Sequence, residues 1–267
     1  MMPSQKGSSS IADASQPNAG RIYDYLLGGN HNFEIDRIAA NQLVKDVPYM
    51  NLWVRLIRWF LGEAVQRLLD EGFTKFLDFA SGLPTVDHIH YIAPKGSKVI
   101  YSDIDPVTVA YAHEIIKDLP NVAYVTGDAG KPESILGLDI VGKLFGEDRK
   151  LAFGFNGIAW FLTDEQVAHA LQVLYEWGAP GSRLYICDVN NAIMTPITRQ
   201  LDVFYAKVGQ PIYVRSETRL RGLIGKWKVS SPGFRPLEEW LPIGKLNFEE
   251  AEQASGGNLI GAILTKE

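Results

Sequence analysis

The stretch that most constrains this chain is Phe76-Leu77-Asp78-Phe79-Ala80-Ser81-Gly82-Leu83-Pro84-Thr85. Its first four residues are the kind of apolar run that forms a buried strand. It then changes abruptly to small residues, and Pro84 stands where a helix can begin, because proline's fixed φ suits a first helical turn. The pattern predicts strand, tight turn, helix. In that geometry backbone N–H groups point outward, a helix N-terminus favours negative charge, and small side chains let a ligand approach the main chain. The stretch is not a GxGxxG fingerprint, since Ala80 holds the first glycine position and Pro84 the third. Taken alone it is equally an ordinary strand-to-helix turn.

Two more runs change its weight. Residues 99–103 read as a strand ending in Asp103, 21 residues after Gly82, and residues 122–128 as a strand ending in Asp128, 25 residues after Asp103. An acid about 20 residues beyond a glycine turn accepts hydrogen bonds from ribose hydroxyls in dinucleotide-type folds. Three strands that each deliver a carboxylate or a tight turn at one sheet edge make a crevice, and ligands of open α/β sheets bind there.

The rest of the chain continues the alternation. Further strands are expected at 151–155, 183–188, 227–229 and 259–264, the last of them antiparallel at the sheet edge or beside it. Helices are expected at 85–91, 106–119, 133–145 (interrupted by Gly137 and Gly142), 163–177, 196–208 and 217–224. Ahead of the first strand come a short helix ending at Gly28-Gly29, a second at 36–44, and a strongly amphipathic one at 52–69. On that last helix Leu52, Leu56, Trp59, Phe60, Val65, Leu68 and Leu69 form the apolar side and Arg55, Arg58, Glu63 and Arg67 the remainder. Repeated strand–helix alternation favours a mostly parallel sheet covered on both faces.

Composition excludes several classes. At 267 residues with 46% apolar content the chain can bury a sizeable core. A net charge of −5 argues against broad nucleic-acid binding, which needs clustered Lys and Arg. The single cysteine, Cys187, falls in a buried strand, so no internal disulfide framework exists and a cytoplasmic setting is expected. No stretch reaches the roughly 20 apolar residues of a membrane span. Residues 1–19 lack the order of a secretion signal and, being rich in Ser, Gln, Asn and Pro, are expected to form a mobile tail.

With these residues in view the chain resembles the class I methyltransferases that use S-adenosylmethionine, and more narrowly an actinobacterial-type family of S-adenosyl methyltransferase-like proteins. Three segments carry the resemblance: Arg21 to Gly29 with Asn32-Phe33, Phe76 to Thr85, and Tyr101 to Pro106. It extends through Ser231-Pro232-Gly233 and Trp240, and so covers nearly everything after residue 17. The resemblance implies an α/β, Rossmann-like, doubly wound and mostly parallel seven-stranded sheet with an N-terminal helical cap. It divides the chain into a tail (1–20), a helical lid or cap (21–72) and a methyltransferase domain (73–267). The implied cofactor is S-adenosyl-L-methionine and the implied partner a small-molecule methyl acceptor, with no nucleic acid, no membrane and a homodimer left open.

Site residues are implied position by position. Asp78, Ala80 and Gly82 match the turn that holds the methionine part and ribose of the cofactor. Asp103 matches the acid on the ribose hydroxyls, Ile104 the apolar residue beside the adenine, and Asp128 with Ala129 the pair that reads its amino group. Asn156 falls where cofactor and acceptor meet, and Tyr23 with Gly28-Gly29 is expected to fold over the cofactor. Relatives usually carry glycine at Ala80, and alanine is expected there only with a negative φ. They often carry a Ser-His pair where this chain has Cys187-Asp188-Val189-Asn190-Asn191.

Turn N–H groups suit the cofactor's carboxylate and Asp78 its amine. The faces of Tyr23 or Trp160 suit the sulfonium, at roughly 0.5–2 kcal/mol for a cation–π contact; core packing serves equally well for Trp160-Phe161. A good nucleophile needs only alignment with the donor, whereas an alcohol needs a base. The candidate bases are His31, from the expected lid, and Asp188, at a strand's C-terminal end; the alternatives are an exposed loop histidine and a turn cap. His88 and His90 read as packing residues, His113 and His169 as helix-surface residues, and no metal site is expected. Two other readings stay open: a nicotinamide-dependent oxidoreductase, and a cofactor-binding protein without turnover.

Overall fold

A computed structural model describes residues 15–85, 87–190, 196–256 and 258–267. Most of the expected tail, and Asn191, lie outside the described residues. Three helices come first: α1 (Ala19–Leu26), α2 (Glu34–Asp46) and α3 (Met50–Asp70). The sheet then alternates with helices: β1 (Lys75–Asp78), α4 (Ile89–Ile92), β2 (Lys98–Asp103), α5 (Pro106–Ile116), β3 (Val122–Thr126), α6 (Glu133–Leu136), α7 (Asp139–Phe145), β4 (Ala152–Asn156), α8 (Asp164–Trp177) and β5 (Arg183–Val189). There follow α9 (Pro196–Lys207), α10 (Glu217–Leu223), β6 (Lys228–Val229), β7 (Arg235–Pro236), α11 (Phe248–Ser255) and β8 (Leu259–Thr265).

The strand order is β3-β2-β1-β4-β5-β8-β6, with β1 to β5 parallel and β8 antiparallel between β5 and β6. The expected seven strands lie along that path. The two-residue β7 adds an eighth off it, pairing with β8. Alternation across the pleat sends neighbours to opposite faces. Phe76, Val99, Tyr101, Ala152 and Tyr185 join one core with α2, α3 and α5. Leu77, Ile100, Phe153, Leu184 and Ile186 join a second core with α7 and α8.

The N-terminal helices belong to the first core. Twelve of the 21 residues of α3 are buried, and all but Arg58 are apolar. Burying each large apolar side chain contributes about 1.5–3 kcal/mol, so the buried face of α3 fixes it against the sheet. Helix α1 starts at Ala19, inside the stretch expected to be tail. The cause is Asn18, whose side chain caps the helix by accepting from the N–H groups of Gly20 and Arg21 (2.8 and 3.2 Å). Among the described residues no helix is long and apolar enough to cross a membrane.

Candidate active site

Four parallel strands end around one cavity of about 450 Å³. Between β1 and β4 the strand order changes direction, which is where open α/β sheets bind ligands. Asp78 ends β1, Asp103 ends β2 and Asn156 ends β4, while Asp128 and Ala129 lie just past β3; all five line the cavity, together with Ala80, Gly82, Ile104 and Tyr23. Asp78 is 2% exposed, and burial raises its pKa against the opposing hydrogen bond from the Tyr185 hydroxyl (2.6 Å). That pair requires glycine at position 154, because a Cβ there would run into both Asp78 Oδ1 and the Tyr185 ring.

The turn after β1 departs from expectation twice. Ala80 has φ +49°, in the left-handed region that L residues seldom enter, rather than a negative φ. The chain must reverse at once so that the Ser81 N–H reaches Ser102 O (2.8 Å) and its hydroxyl returns to Asp78 O (2.9 Å). Nor does a helix begin at Pro84. Asp87 has φ +63°, which stops helix growth, and α4 is a four-residue turn capped by His88 Nδ1. The expected helix-end anion site is therefore missing. Two turn amides are also taken: Ser81 N by Ser102 O, and Gly82 N by Asp103 Oδ2 (3.1 Å).

Asp103 is held from two sides, since its Oδ1 accepts from the N–H of Asp105 at 2.9 Å. Burial nonetheless outweighs those bonds and pushes its pKa up to about 6. Asp128 Oδ1 accepts from Gly130 N (2.8 Å), which fixes the loop after β3. Asn156 gives its amide to Ile57 O (3.3 Å), and its Oδ1 is buried with no partner.

Three expected site residues are placed elsewhere. Gly28, with φ +85°, ends α1 outside the cavity. Gly29 beside it packs so closely on the Asp24 carboxylate that a Cβ would overlap it. Asp24 organises this loop by accepting from His31 N and Asn32 Nδ2 (both 3.0 Å). The same loop turns His31 away from the cavity and against the Tyr111 ring, with centroids 5.4 Å apart. Asp188 is 1% exposed and also outside the cavity lining. Its Oδ2 lies 3.6 Å from Arg215 Nη1, and burial pushes its pKa up to about 7. Arg215 in turn binds Asp164 and the carbonyls of Ala159 and Leu162. Asp188 thus supports the turn that carries Trp160 and does not face the cavity.

A family model described as S-adenosyl methyltransferase matches residues 4–263. The chain belongs to that family. A candidate methyltransferase from Thermobifida fusca is 26% identical, with a TM-score of 0.88 over 96% of this chain and 97% of that one. A DUF574 family protein from Streptomyces avermitilis is 24% identical, with a TM-score of 0.87 over 96% of this chain and 100% of that one. The fold is shared more distantly with magnesium protoporphyrin IX methyltransferase from Synechocystis, solved with its S-adenosylmethionine, at 11% identity and a TM-score of 0.55 over the full length of both chains. No curated protein matches the sequence. The protein is thus an S-adenosylmethionine-dependent methyltransferase, and the nicotinamide reading falls away.

The methyltransferase cavity fits its cofactor on structural grounds. It offers Asp103 at the second strand end, Asp128 and Ala129 at the third, and orphaned buried polar atoms on two side chains, Asn156 Oδ1 and Arg58 Nε and Nη1. Arg58 was expected off the apolar side of its helix, yet it is 6% exposed and lines the cavity. The readable signal was spacing: it stands four residues after Val54 and three before Leu61, on a buried face. His88 is also in the lining and fully engaged. Its Nδ1 accepts from Ile89 N (3.0 Å), so Nε2 carries the proton and donates to Ser81 O (3.2 Å). Burial sets its pKa well below the ordinary value, so it is neutral. Beyond Asn156 the wall is aromatic: Trp160, Phe161, Tyr205 and Tyr213.

Proposed function

We propose that this methyltransferase acts on a small, largely planar or apolar acceptor whose nucleophilic atom needs no base from the protein. S-adenosylmethionine supplies an electrophilic methyl group on a sulfonium. Asp103 would accept from the ribose hydroxyls, and Asp128 with Ala129 would face the adenine. The observation that carries the acceptor reading is the aromatic wall past β4. Phe161 meets Tyr205 edge to face (5.3 Å) and Trp160 at a tilt (6.1 Å), and the Tyr213 N–H is tied to Trp160 O (2.6 Å). Such a wall excludes water and selects flat, apolar groups.

Among the described residues the aromatic wall holds no proton acceptor poised for neutral pH. Burial raises the Tyr205 pKa well beyond that of a free phenol, and His88 has both nitrogens engaged. What remains for the protein is to hold donor and acceptor in line and keep water out, which suffices for amines, thiolates and other ready nucleophiles. Labelled-methyl transfer to a panel of aromatic amines, thiols, phenols and alcohols tests this. Transfer to amines or thiols but not to simple alcohols is the expected result; transfer only to alcohols, or only to protein or nucleic acid, overturns it.

A further inference from the structure

The cofactor's amino-acid end needs partners that the turn after β1 supplies only in part. Of its amides, Ser81 N and Gly82 N already donate to Ser102 O and Asp103 Oδ2. No helix N-terminus follows the turn, because α4 starts only at Ile89. A carboxylate arriving here therefore finds fewer free amides than a glycine-rich turn would offer.

The cavity wall contains a further donor. Arg58 is 6% exposed, and its Nε and Nη1 are buried with no hydrogen-bond acceptor among the described residues. It lies over the Tyr23 ring, with the guanidinium carbon 5.5 Å from the centroid, its remaining contact is with the Tyr23 hydroxyl, and its charge also acts on the Asp78 carboxylate. Buried guanidinium nitrogens without an acceptor are costly and therefore rare. One residue away in the chain, the Ile57 carbonyl accepts the Asn156 amide, which leaves Asn156 Oδ1 buried and unpaired at the end of β4. Among the described residues that line the cavity, these two carry the only orphaned buried side-chain atoms. One is a cationic double donor and the other an acceptor. They complement the two ends of an α-amino acid, whose carboxylate needs donors and whose ammonium needs acceptors.

We propose that Arg58 and Asn156 form the subsite for the amino-acid end of the cofactor, with Arg58 on the carboxylate and Asn156 Oδ1 on the amine. The assignment rests on the cofactor reading given above. It makes α3, a helix ahead of the sheet, a direct contributor to cofactor binding. A carboxylate on the methyl acceptor has the same chemistry as the cofactor's own, so the test must separate the two.

Calorimetry with S-adenosylhomocysteine and with 5′-methylthioadenosine, which keeps the nucleoside but lacks the amino-acid end, does so. The wild-type chain and the variants Arg58→Met, Arg58→Lys and Asn156→Leu are compared, with unfolding curves recorded without ligand. Arg58→Met is expected to weaken S-adenosylhomocysteine at least tenfold and 5′-methylthioadenosine less than threefold, with Arg58→Lys in between. Asn156→Leu is expected to show the same selectivity at smaller size. Equal losses for both ligands in folded variants would overturn the subsite, because they would mean a general structural role. Unchanged S-adenosylhomocysteine affinity in Arg58→Met would also overturn it, and would leave the arginine to an acceptor's carboxylate. Failure of the wild-type chain to bind either ligand would remove the cofactor reading itself, an outcome distinct from the other two.

Discussion

Two buried arginines sit on neighbouring N-terminal helices and are treated in opposite ways. Arg21 on α1 is 1% exposed and bonded through all three nitrogens: Nε donates to Asp36 Oδ2 (2.8 Å), Nη1 to Asp105 Oδ2 (3.1 Å) and Nη2 to Gln16 O (2.7 Å). Arg58 on α3 is nearly as buried and has no acceptor for Nε or Nη1. The first is a knot that joins α1, α2 and the start of α5. The second is an open valence on a cavity wall. The contrast separates charge used to fold from charge held back for a ligand, and that difference lies in the partners, since burial is nearly the same.

The largest effect expected from this contrast is on the knot. Arg21→Met strands Asp36, which is fully buried, and breaking a buried pair from one side costs about 3–5 kcal/mol. Denaturant unfolding without ligand measures it, and a loss below about 1 kcal/mol would dissolve the comparison. Next comes Asp103, an intermediate case, satisfied by two backbone amides yet with its pKa raised to about 6. Asp103→Ala should cost adenosine affinity roughly 1–3 kcal/mol, the range for a hydrogen bond to a charged group; unchanged affinity would place the ribose elsewhere.

Asp103 also sets a pH dependence. In the proposed site ribose hydroxyls would donate to the ionised carboxylate, so adenosine affinity should fall as pH drops through about 6, by up to about tenfold per unit. Asp103→Asn should flatten that fall. For the unliganded fold the sign differs. An acid whose pKa is about 6 folded and about 3.9 unfolded favours folding in its protonated form, so this contribution is lost as pH rises from about 4 to 6.

Smaller effects sharpen the contrast. Without ligand, Arg58→Met should change stability by less than about 1 kcal/mol, since two of its buried nitrogens have no acceptor to lose and only its contact with Tyr23 and its field on Asp78 go. A loss as large as that of Arg21→Met would show that Arg58 too is structural. Ala80→Gly should stabilise by about 0.5–1 kcal/mol by relieving the left-handed alanine, less than the full conformational penalty because glycine loses more chain entropy; a lower unfolding midpoint would contradict the strain. Smallest of all, His31→Ala and Asp188→Asn should change S-adenosylhomocysteine affinity less than twofold in calorimetry, because neither side chain lines the cavity.

What could be read from the sequence follows the same division. The strand ends were legible because a short apolar run, a carboxylate and a fixed interval to the next run are all local signals; Asp78, Asp103 and Asp128 come to one cavity as that pattern implies. The backbone of the turn was not legible, because the φ of Ala80 is set by hydrogen bonds to residues about 20 positions away. The His31 and Asp188 expectations rested on place in the chain, and place does not fix direction: Tyr111 and Arg215, both far along the sequence, decide where those side chains lie. Arg58 was hidden for a further reason. An arginine on an amphipathic helix is ordinarily solvated, and only the strands packed on α3 show that its face is closed.

Asp105 deserves a last consequence. Its carboxylate receives Arg21, while its N–H holds Asp103 Oδ1. The front of the chain is thereby wired, through a single residue, to Asp103, the acid proposed to hold the ribose. The far terminus has no such connection: Thr265 pairs with Arg183 at the opening of β5, on the sheet edge away from the strand ends. A pull on α1 therefore reaches Asp103 through Asp105, whereas Thr265 meets β5 at the far end of the sheet.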